Sequence, residues 1–143
     1  MDIRNFTESD RGNVVALWNQ CDLTRPWNDP NKDIDRKMLF QPELFFIGTV
    51  ESNVVASAMA GYDGHRGSVF YLAVHPKFQG LGYGQKLMGH IENVLTDIGC
   101  CKLNIVVRST NEAVLGFYNN LAYTTDDVVS LGKRLIPDAQ AVD

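Results

Sequence analysis

Residues 72–86 read LAVHPKFQGLGYGQK, and this stretch indicates the fold more strongly than any other part of the chain. It joins the end of an apolar run, Val69–Val74, to three glycines at alternate positions, Gly80, Gly82 and Gly84, after which an amphipathic segment begins. Glycines let a backbone approach an anion closely, and the first N–H groups of a helix point towards it with the positive end of the helix dipole behind them. The order of strand, glycine turn and helix start therefore predicts a site that binds phosphate.

The spacing of these residues distinguishes between three kinds of phosphate site. A P-loop requires a lysine followed by serine or threonine at the end of the loop, but Lys86 is followed by Leu87. The dinucleotide fingerprint requires G-x-G-x-x-G, whereas the glycines here follow G-x-G-x-G. The segment Gln79–Gly84 does fit Q/R-x-x-G-x-G/A, and in this pattern the chain resembles the GNAT superfamily of acyl-CoA-dependent N-acetyltransferases.

Two further segments carry the resemblance. Residues 72–76, Leu-Ala-Val-His-Pro, match the hydrophobic-x-Val-x-Pro ending of the family's central strand. Residues 111–123 resemble the segment N-x-x-A-x-x-F-Y-x-x-x-G-F, with Asn111, Phe117 and Tyr118 in matching positions. The departures are Val114 in place of the usual alanine and Ala122-Tyr123 in place of Gly-Phe. The order of the elements extends the resemblance over nearly the whole chain, although matching motifs are confined to residues 72–86 and 111–123.

The resemblance implies a fold, a cofactor and a reaction. The fold would be α/β (α+β), with a central, mostly antiparallel sheet, splayed central strands and helices on both faces. The reaction would transfer an acetyl group from acetyl-CoA, as co-substrate, to a primary amine of a small molecule or of a protein, without a metal. The glycine turn would hold the pyrophosphate, and the strand before it would pair with the pantetheine arm. The residues thereby implied in acetyl-CoA binding are Leu72, Ala73, Val74, Gln79, Gly80, Leu81, Gly82, Tyr83, Gly84, Gln85, Lys86 and Asn111.

Three of the residues near this site have a second interpretation. Asn111 could contact the cofactor near the pantetheine, or it could be the N-cap of a helix, which alone is worth about 1 kcal/mol. Lys86 could attract the acidic cofactor or be a solvated surface lysine. The acceptor pocket implied by the resemblance includes the loop at residues 25–30. Trp27 in this loop could bind an amine through its ring face, or it could pack onto the core.

The resemblance also implies two catalytic groups. A backbone N–H at Val74 would stabilise the oxyanion of the tetrahedral intermediate. Tyr118 would be the general acid, since a tyrosine with a pKa near ~10 is able to protonate a thiolate whose thiol has a pKa near ~8.5. The alternative is that Tyr118 is a core residue beside Phe117.

The strand Ser68–Val74 carries no carboxylate, although many relatives place a glutamate there as the general base. The nearby candidates are Asp63 and His65 in the preceding turn, and Tyr71 as part of a water chain, and the sequence does not choose among them. This absence leaves open an alternative function, that of a non-catalytic acyl-CoA-binding sensor module of the same fold. A nucleotide-binding domain that uses the same turn for ATP is a weaker alternative.

Composition narrows the class of protein. The 143 residues are enough for one domain with its own core, and contents of 45% hydrophobic and 21% charged residues are ordinary for a globular protein. A net charge of −4 without a Lys/Arg cluster argues against nucleic acid as a partner, and no apolar run approaches the ~20 residues of a membrane span. Three cysteines without disulfide or metal spacing, and an N-terminus without signal-peptide features, predict a cytoplasmic location.

Periodicity predicts the order of the elements. Strands are expected at residues 2–6, 44–50, 54–62, 68–74 and 103–107, and helices after Thr7, at 34–40, from 82 to 98 and at 111–121. Residues 22–33 are expected to be a loop, because they are rich in Asp, Asn and Pro. Residues 123–125 and 128–135 are expected to close the sheet as a terminal hairpin, whose edge strands could pair two subunits into a homodimer.

Overall fold

The computed structural model describes residues 1–138. Its strands are β1 (Asp2–Asn5), β2 (Phe45–Val50), β3 (Asn53–Tyr62), β4 (Gly67–Val74) and β5 (Leu103–Asn104). Its helices are α1 (Arg11–Gln20), α2 (Pro30–Leu39), α3 (Tyr83–Asp97) and α4 (Glu112–Asn120), with single turns of 3-10 helix at Glu8–Asp10, Pro42–Leu44 and Pro76–Phe78. Within this described range, no helix has the length and apolar character needed to cross a membrane.

The five strands form one sheet in the order β1-β2-β3-β4-β5. The first three pairings are antiparallel, and β5 joins β4 in the parallel sense. A two-residue turn connects β2 to β3, and its residues Glu51 and Ser52 have φ values of 50° and 66°. Positive φ at both positions gives the turn the twist that a tight hairpin requires. The mixed α/β fold with a mostly antiparallel sheet, expected from the sequence, is thus confirmed.

Helices cover both faces of the sheet, as the resemblance implied. On one face, α1 and α2 bury Trp18 and Ile34 against Phe45 and Ile47 of β2. The other face is covered by α3, and by α4 through Tyr118. The side chains of α3 that enter this core recur at three- and four-residue intervals, as on one face of an amphipathic helix, and are Leu87, Met88, Ile91 and Leu95.

Helix α2 begins four residues earlier than the sequence pattern predicted. The Asp29 carboxylate oxygen Oδ1 accepts hydrogen bonds from the N–H groups of Asn31 (2.9 Å) and Lys32 (3.3 Å), which makes Asp29 the N-cap. Pro30 follows at the first helical position, where its missing N–H costs no hydrogen bond. Residues 30–33 are therefore helical, and the expectation of a loop over residues 22–33 is wrong for them. This earlier start places Asp33 on the helix.

Strand β5 is shorter than the predicted range of residues 103–107. Only Leu103 and Asn104 pair with β4, and their partners are Gly67 and Ser68. The apolar residues at positions 105 and 107 still pack against the core, which explains the strand-like pattern, but their backbone does not continue the ladder. β4 and β5 consequently diverge after Ser68, as expected for splayed central strands.

The terminal hairpin predicted at residues 123–125 and 128–135 is not formed. Residues 124–138 contain no strand. A strand requires a neighbouring edge with which to exchange hydrogen bonds, and the two-residue β5 offers none of sufficient length. Side chains fix this segment instead, because Lys102 Nζ lies 3.0 Å from Asp126 Oδ2 and Arg36 pairs with the buried Asp138. The hairpin edges expected to join two subunits are therefore not formed in the part of the chain that the structure describes.

Candidate active site

A β-bulge interrupts β4 at the point where the sheet opens. The register with β3 passes from Ser57 opposite Ala73 to Met59 opposite Phe70, so two residues of β4 face one residue of β3. Tyr71 is one of these two residues, and its φ of 55° lies in the left-handed region. Such a conformation costs a residue other than glycine on the order of 1–3 kcal/mol, so the surrounding structure must hold it.

Helix α1 and strand β3 hold the bulge through a buried chain of hydrogen bonds. The indole N–H of Trp18 donates to Ser57 Oγ at 2.9 Å, and the Ser57 hydroxyl donates to the Tyr71 carbonyl at 3.0 Å. Trp18 and Ser57 are both fully buried. The ring of Trp18 also stacks on that of Tyr71, with centroids 3.8 Å apart and planes 12° from parallel. These contacts fix both the backbone and the ring of the strained residue.

The C-terminal end of β4 has one open edge. His75 donates its N–H to the Val55 carbonyl of β3 at 2.8 Å, and the buried Ala73 pairs with Ser57. Because backbone groups alternate in direction along a strand, the N–H and C=O groups of Val74 point away from β3, towards the gap beside β5. The Val74 carbonyl accepts hydrogen bonds from Gln79 Nε2 (3.0 Å) and from the Cys21 thiol (Sγ···O 3.4 Å). The Val74 N–H is left facing the gap.

The glycine turn leads into α3 with its first N–H groups free. Gly82 is the N-cap residue, its φ is 82°, and no side chain caps this end of the helix. The first helical hydrogen bond runs from the Lys86 N–H to the Gly82 carbonyl at 3.0 Å, so the N–H groups of residues 83–85 have no partner within the helix. Gly80 has a φ of 80°, which also favours glycine. This arrangement has the form that the sequence predicted for an anion site.

Close packing, rather than a positive φ, favours glycine at position 84. A Cβ atom at this position would lie 3.0 Å from Phe117 Cζ and 3.8 Å from Val74 Cγ2. The absence of a side chain therefore allows the start of α3 to pack directly against α4 and the end of β4. The predicted phosphate turn, the open edge at Val74 and the helix that carries Tyr118 meet at this contact.

The other side chains predicted to bind acetyl-CoA lie on the surface around the turn. Leu81 is 61% exposed and Gln85 is also exposed. The ring of Tyr83 stacks on that of Phe78 with centroids 6.3 Å apart. Lys86 Nζ donates to the carbonyl of Met1, so its ammonium group is engaged at the start of the chain.

A cleft of about 860 Å³ opens beside the bulge. Leu72, Tyr71, Asn111 and Tyr118 line it, so the predicted acid and part of the predicted pantetheine edge share one space. The glycine turn and Val74 are not among its lining residues. Residues from α2, from the loop before it and from the segment after β5 complete the walls, and Trp27 is one of them, 50% exposed rather than folded onto the core.

Tyr118 is almost fully buried but lines this cleft. Its ring packs edge-on against Phe117 and Tyr123, with centroid distances of 5.0 and 5.5 Å. Burial raises the pKa of Tyr118 to about 12. The phenol is therefore protonated over the whole neutral range and keeps a hydrogen to donate.

The structure brings a carboxylate to the strand that lacks one. The Tyr71 hydroxyl donates to Asp33 Oδ2 at 2.6 Å, and Arg36 Nη1 donates to Asp33 Oδ1 at 3.0 Å. Burial and the contact with Asp33 raise the pKa of Tyr71. The sequence interpretation missed Asp33 because it assigned residues 22–33 to a loop. The Asp-Pro pair at residues 29–30, a helix-start signal, could have identified it.

The general-base candidates in the turn before β4 lie outside the cleft, whereas Asn111 lies on its wall. Asp63 and His65 are exposed in the turn between β3 and β4, and neither lines the cleft. Asp63 Oδ1 accepts hydrogen bonds from the N–H groups of Arg66 (2.7 Å) and His65 (2.8 Å), which lower the pKa of its carboxyl. Asn111 is the N-cap of α4, since its Oδ1 accepts from the Val114 N–H at 3.3 Å, and it also lies on the wall of the cleft.

Comparison with known proteins identifies relatives of the whole chain. Residues 13–123 match the family model described as the acetyltransferase (GNAT) family. The protein is 52% identical over 140 residues to acetyltransferase YE1169 of Yersinia enterocolitica, a match that covers 98% of this chain and 99% of that one.

Solved structures share the fold. A structure of AAC(6′)-Iy in complex with the bisubstrate analogue CoA-S-monomethyl-acetylneamine matches with a TM-score of 0.75 and 17% identity, covering 94% of this chain and 98% of the other. The ribosomal-protein-S18-alanine N-acetyltransferase of Escherichia coli matches with a TM-score of 0.70 and 22% identity, covering 84% and 75%. At these identities the likeness shows the common fold.

We expect Ser57→Ala to destabilise the protein by about 1–3 kcal/mol, because the Trp18 N–H and the Tyr71 carbonyl would both lose a buried partner. Chemical denaturation measures the loss. Ser68→Ala on the neighbouring strand is the matched control and should change the free energy of unfolding by less than about 0.5 kcal/mol. Equal stabilities for the Ser57 variant and the parent protein would show that the hydrogen-bond chain does not hold the bulge.

Proposed function

The chain belongs to the acetyltransferase (GNAT) family and is an acetyltransferase, and on this premise we propose that it transfers the acetyl group of acetyl-CoA to a primary amine bound in the cleft. The observation that carries the proposal is the junction of three features. An uncapped helix start, an open strand edge and a buried tyrosine facing a cleft lie on α3, β4 and α4, and these elements meet where Gly84 packs against Val74 and Phe117.

In this proposal the cofactor lies along the open edge of β4 and ends at the glycine turn. The free N–H groups of residues 83–85 and the positive end of the α3 dipole bind the pyrophosphate. The backbone of Leu72–Val74 pairs with the amide groups of the pantetheine arm, because this edge has no strand partner beyond Ser68. Gln79 supports the turn through its hydrogen bond to the Val74 carbonyl.

The proposed chemistry begins with removal of a proton from the acceptor. Primary amines are mostly ammonium ions at neutral pH, and only the neutral amine can attack a carbonyl. Asp33 lies in the cleft, fixed by Tyr71 and Arg36, and accepts that proton. The nitrogen lone pair then forms the new C–N bond at the thioester carbon, and the carbonyl oxygen becomes an oxyanion that the Val74 N–H stabilises.

The intermediate collapses as the C–S bond breaks. The CoA thiolate leaves with the bonding pair, and the product nitrogen releases its second proton to solvent. Because burial raises the pKa of Tyr118 to about 12, the phenol holds its proton more firmly than a thiol of pKa near ~8.5 does. Tyr118 therefore stabilises the departing sulfur mainly as a hydrogen-bond donor, and solvent protonates the thiolate after release.

The alternative of a non-catalytic acyl-CoA sensor rested on the missing strand carboxylate. Asp33 now supplies a carboxylate from α2 at hydrogen-bond distance from the strand residue Tyr71. Its position supports catalysis over a purely sensory role.

We expect Gly82→Val to weaken acetyl-CoA binding at least tenfold, because a β-branched residue at a φ of 82° would shift the turn and its N–H groups. Gly89→Val is the matched control, since both positions leave open space for a Cβ but Gly89 lies within α3. Isothermal titration calorimetry measures the dissociation constants. The proposed phosphate turn is wrong if both variants bind acetyl-CoA with the affinity of the parent protein.

For Tyr118→Phe we expect kcat to fall by about 10- to 100-fold while the affinity for acetyl-CoA changes less than twofold, since only a contact to the leaving sulfur is lost. Tyr123→Phe is the control, because its hydroxyl binds Glu92 and does not line the cleft. Release of the CoA thiol gives the rate. A normal kcat for Tyr118→Phe would remove this residue from the mechanism.

Replacement of Asp33 by Asn should lower kcat/KM by about 100-fold at neutral pH, because the acceptor keeps its proton. The loss should shrink as the pH rises towards the pKa of the acceptor amine, where the neutral amine forms without a base. A pH–rate profile from pH 6 to 10 measures this trend. A loss that is constant across the profile would assign Asp33 a structural role.

A further inference from the structure

The charges that line the cleft are unusual for this protein. The chain as a whole has a net charge of −4. The cleft, in contrast, is lined by two carboxylates and four cationic groups, which are Asp22, Asp33, Arg25, Arg36, Lys37 and Arg108. The acceptor site thus has a surplus of positive charge within an acidic protein.

Both carboxylates of the cleft already have cationic partners. Asp22 lies 3.6 Å from Arg25, and Asp33 binds Arg36 at 3.0 Å. Asp22 is thereby neutralised, whereas Asp33 shares Arg36 with the buried Asp138 and is the carboxylate left to receive a single amine. Acceptors with several positive charges would therefore meet more repulsion than attraction.

Arg25 and Arg36 are in ion pairs and Lys37 donates to the Ala60 carbonyl, which leaves Arg108 as the cation available for a ligand. It makes no ion pair with any residue in the range 1–138, and its guanidinium carbon lies 6.0 Å from the centre of the Trp27 ring. A guanidinium presents paired N–H donors that match a carboxylate in a bidentate geometry. Stacking beside an aromatic ring orients that planar group without consuming its donors.

Four large apolar side chains on the wall of the cleft are exposed. Phe40 is 72% exposed, Val106 66%, Phe70 55% and Trp27 50%. Large apolar side chains exposed together in a concave site indicate a ligand with an apolar surface of its own. The cleft therefore offers three chemistries, which are an anion partner at Arg108, an apolar wall and a proton acceptor at Asp33.

We propose that the acceptor is a small molecule that combines one primary amine, an apolar or aromatic body and one carboxylate, of which an apolar α-amino acid is the simplest example. This inference rests on the proposed function, since it assigns the second substrate of the same reaction. The carboxylate binds Arg108, the body packs against Phe40, Phe70 and Trp27, and the amine lies towards Asp33. Acetylation then forms the amide bond and releases CoA as described above.

A matched series of acceptors tests the assignment through CoA thiol release. Phenylalanine, phenylalanine amide, phenethylamine, alanine, spermidine and kanamycin differ in the carboxylate, the apolar body and the number of charges. Phenylalanine should exceed its amide at least tenfold in kcat/KM, and alanine and the two polycations should be the poorest acceptors. Spermidine or kanamycin as the best acceptor would overturn the assignment, and so would equal rates for phenylalanine and its amide.

A variant isolates the role of Arg108. In Arg108→Gln the preference for phenylalanine over its amide should fall from at least tenfold to less than threefold. Lys133→Gln makes the same charge change at an exposed residue that does not line the cleft, and it should retain the full preference. An unchanged preference in Arg108→Gln contradicts the inference.

Calorimetry with acetyl-CoA distinguishes a wrong acceptor class from a wrong proposed function. If acetyl-CoA binds but no member of the series is acetylated, the acceptor class is wrong; if acetyl-CoA does not bind, the proposed function itself fails.

Discussion

The left-handed backbone of Tyr71 is the constraint on which the candidate site depends. Its carbonyl is held by Ser57, its ring by Trp18 and its hydroxyl by Asp33, so β3, α1 and α2 all contact this one residue. The bulge that results changes the direction of β4 beyond the two pairs it shares with β5. The open edge at Leu72–Val74 follows from this change. A strained backbone, stabilised from three elements, thus creates the gap in which the thioester is proposed to lie.

The three glycines of the turn have two different physical roles. Gly80 and Gly82 adopt positive φ, with open space where a side chain would be, so conformation alone explains them. Gly84 has ordinary helical geometry, but a Cβ there would lie only 3.0 Å from Phe117 Cζ, so that the Phe117 ring would have to shift. The first role shapes the turn, and the second fixes the turn relative to β4 and α4. Because Phe117 is adjacent to Tyr118, the same contact that positions the glycine turn also positions the proposed hydrogen-bond donor.

The parts of this site that the sequence predicted are the local ones. A glycine turn followed by a helix depends on neighbouring residues, so its pattern is visible in residues 79–86, and the stripe of α3 is equally local. The contact between Asp33 and Tyr71 joins residues 38 positions apart, and it depends on where α2 begins. The prediction of a terminal hairpin was wrong for a related reason, because β-propensity in residues 128–135 cannot reveal whether a neighbouring strand edge exists. The sequence therefore did not predict features that depend on contacts between distant residues or on the exact residue at which a helix begins.

The distribution of positive potential explains how two anionic groups could be bound without competition. At the proposed cofactor end, the free N–H groups of residues 83–85 and the α3 dipole supply partial charges, and the nearby Lys86 donates to the Met1 carbonyl. At the proposed acceptor end, the full charge of Arg108 lies beside Trp27 on the wall of the cleft, to which the glycine turn does not contribute. A pyrophosphate drawn to one and a carboxylate drawn to the other would leave the thioester and the amine to meet near Tyr71, where Asp33 and Tyr118 face the same cleft.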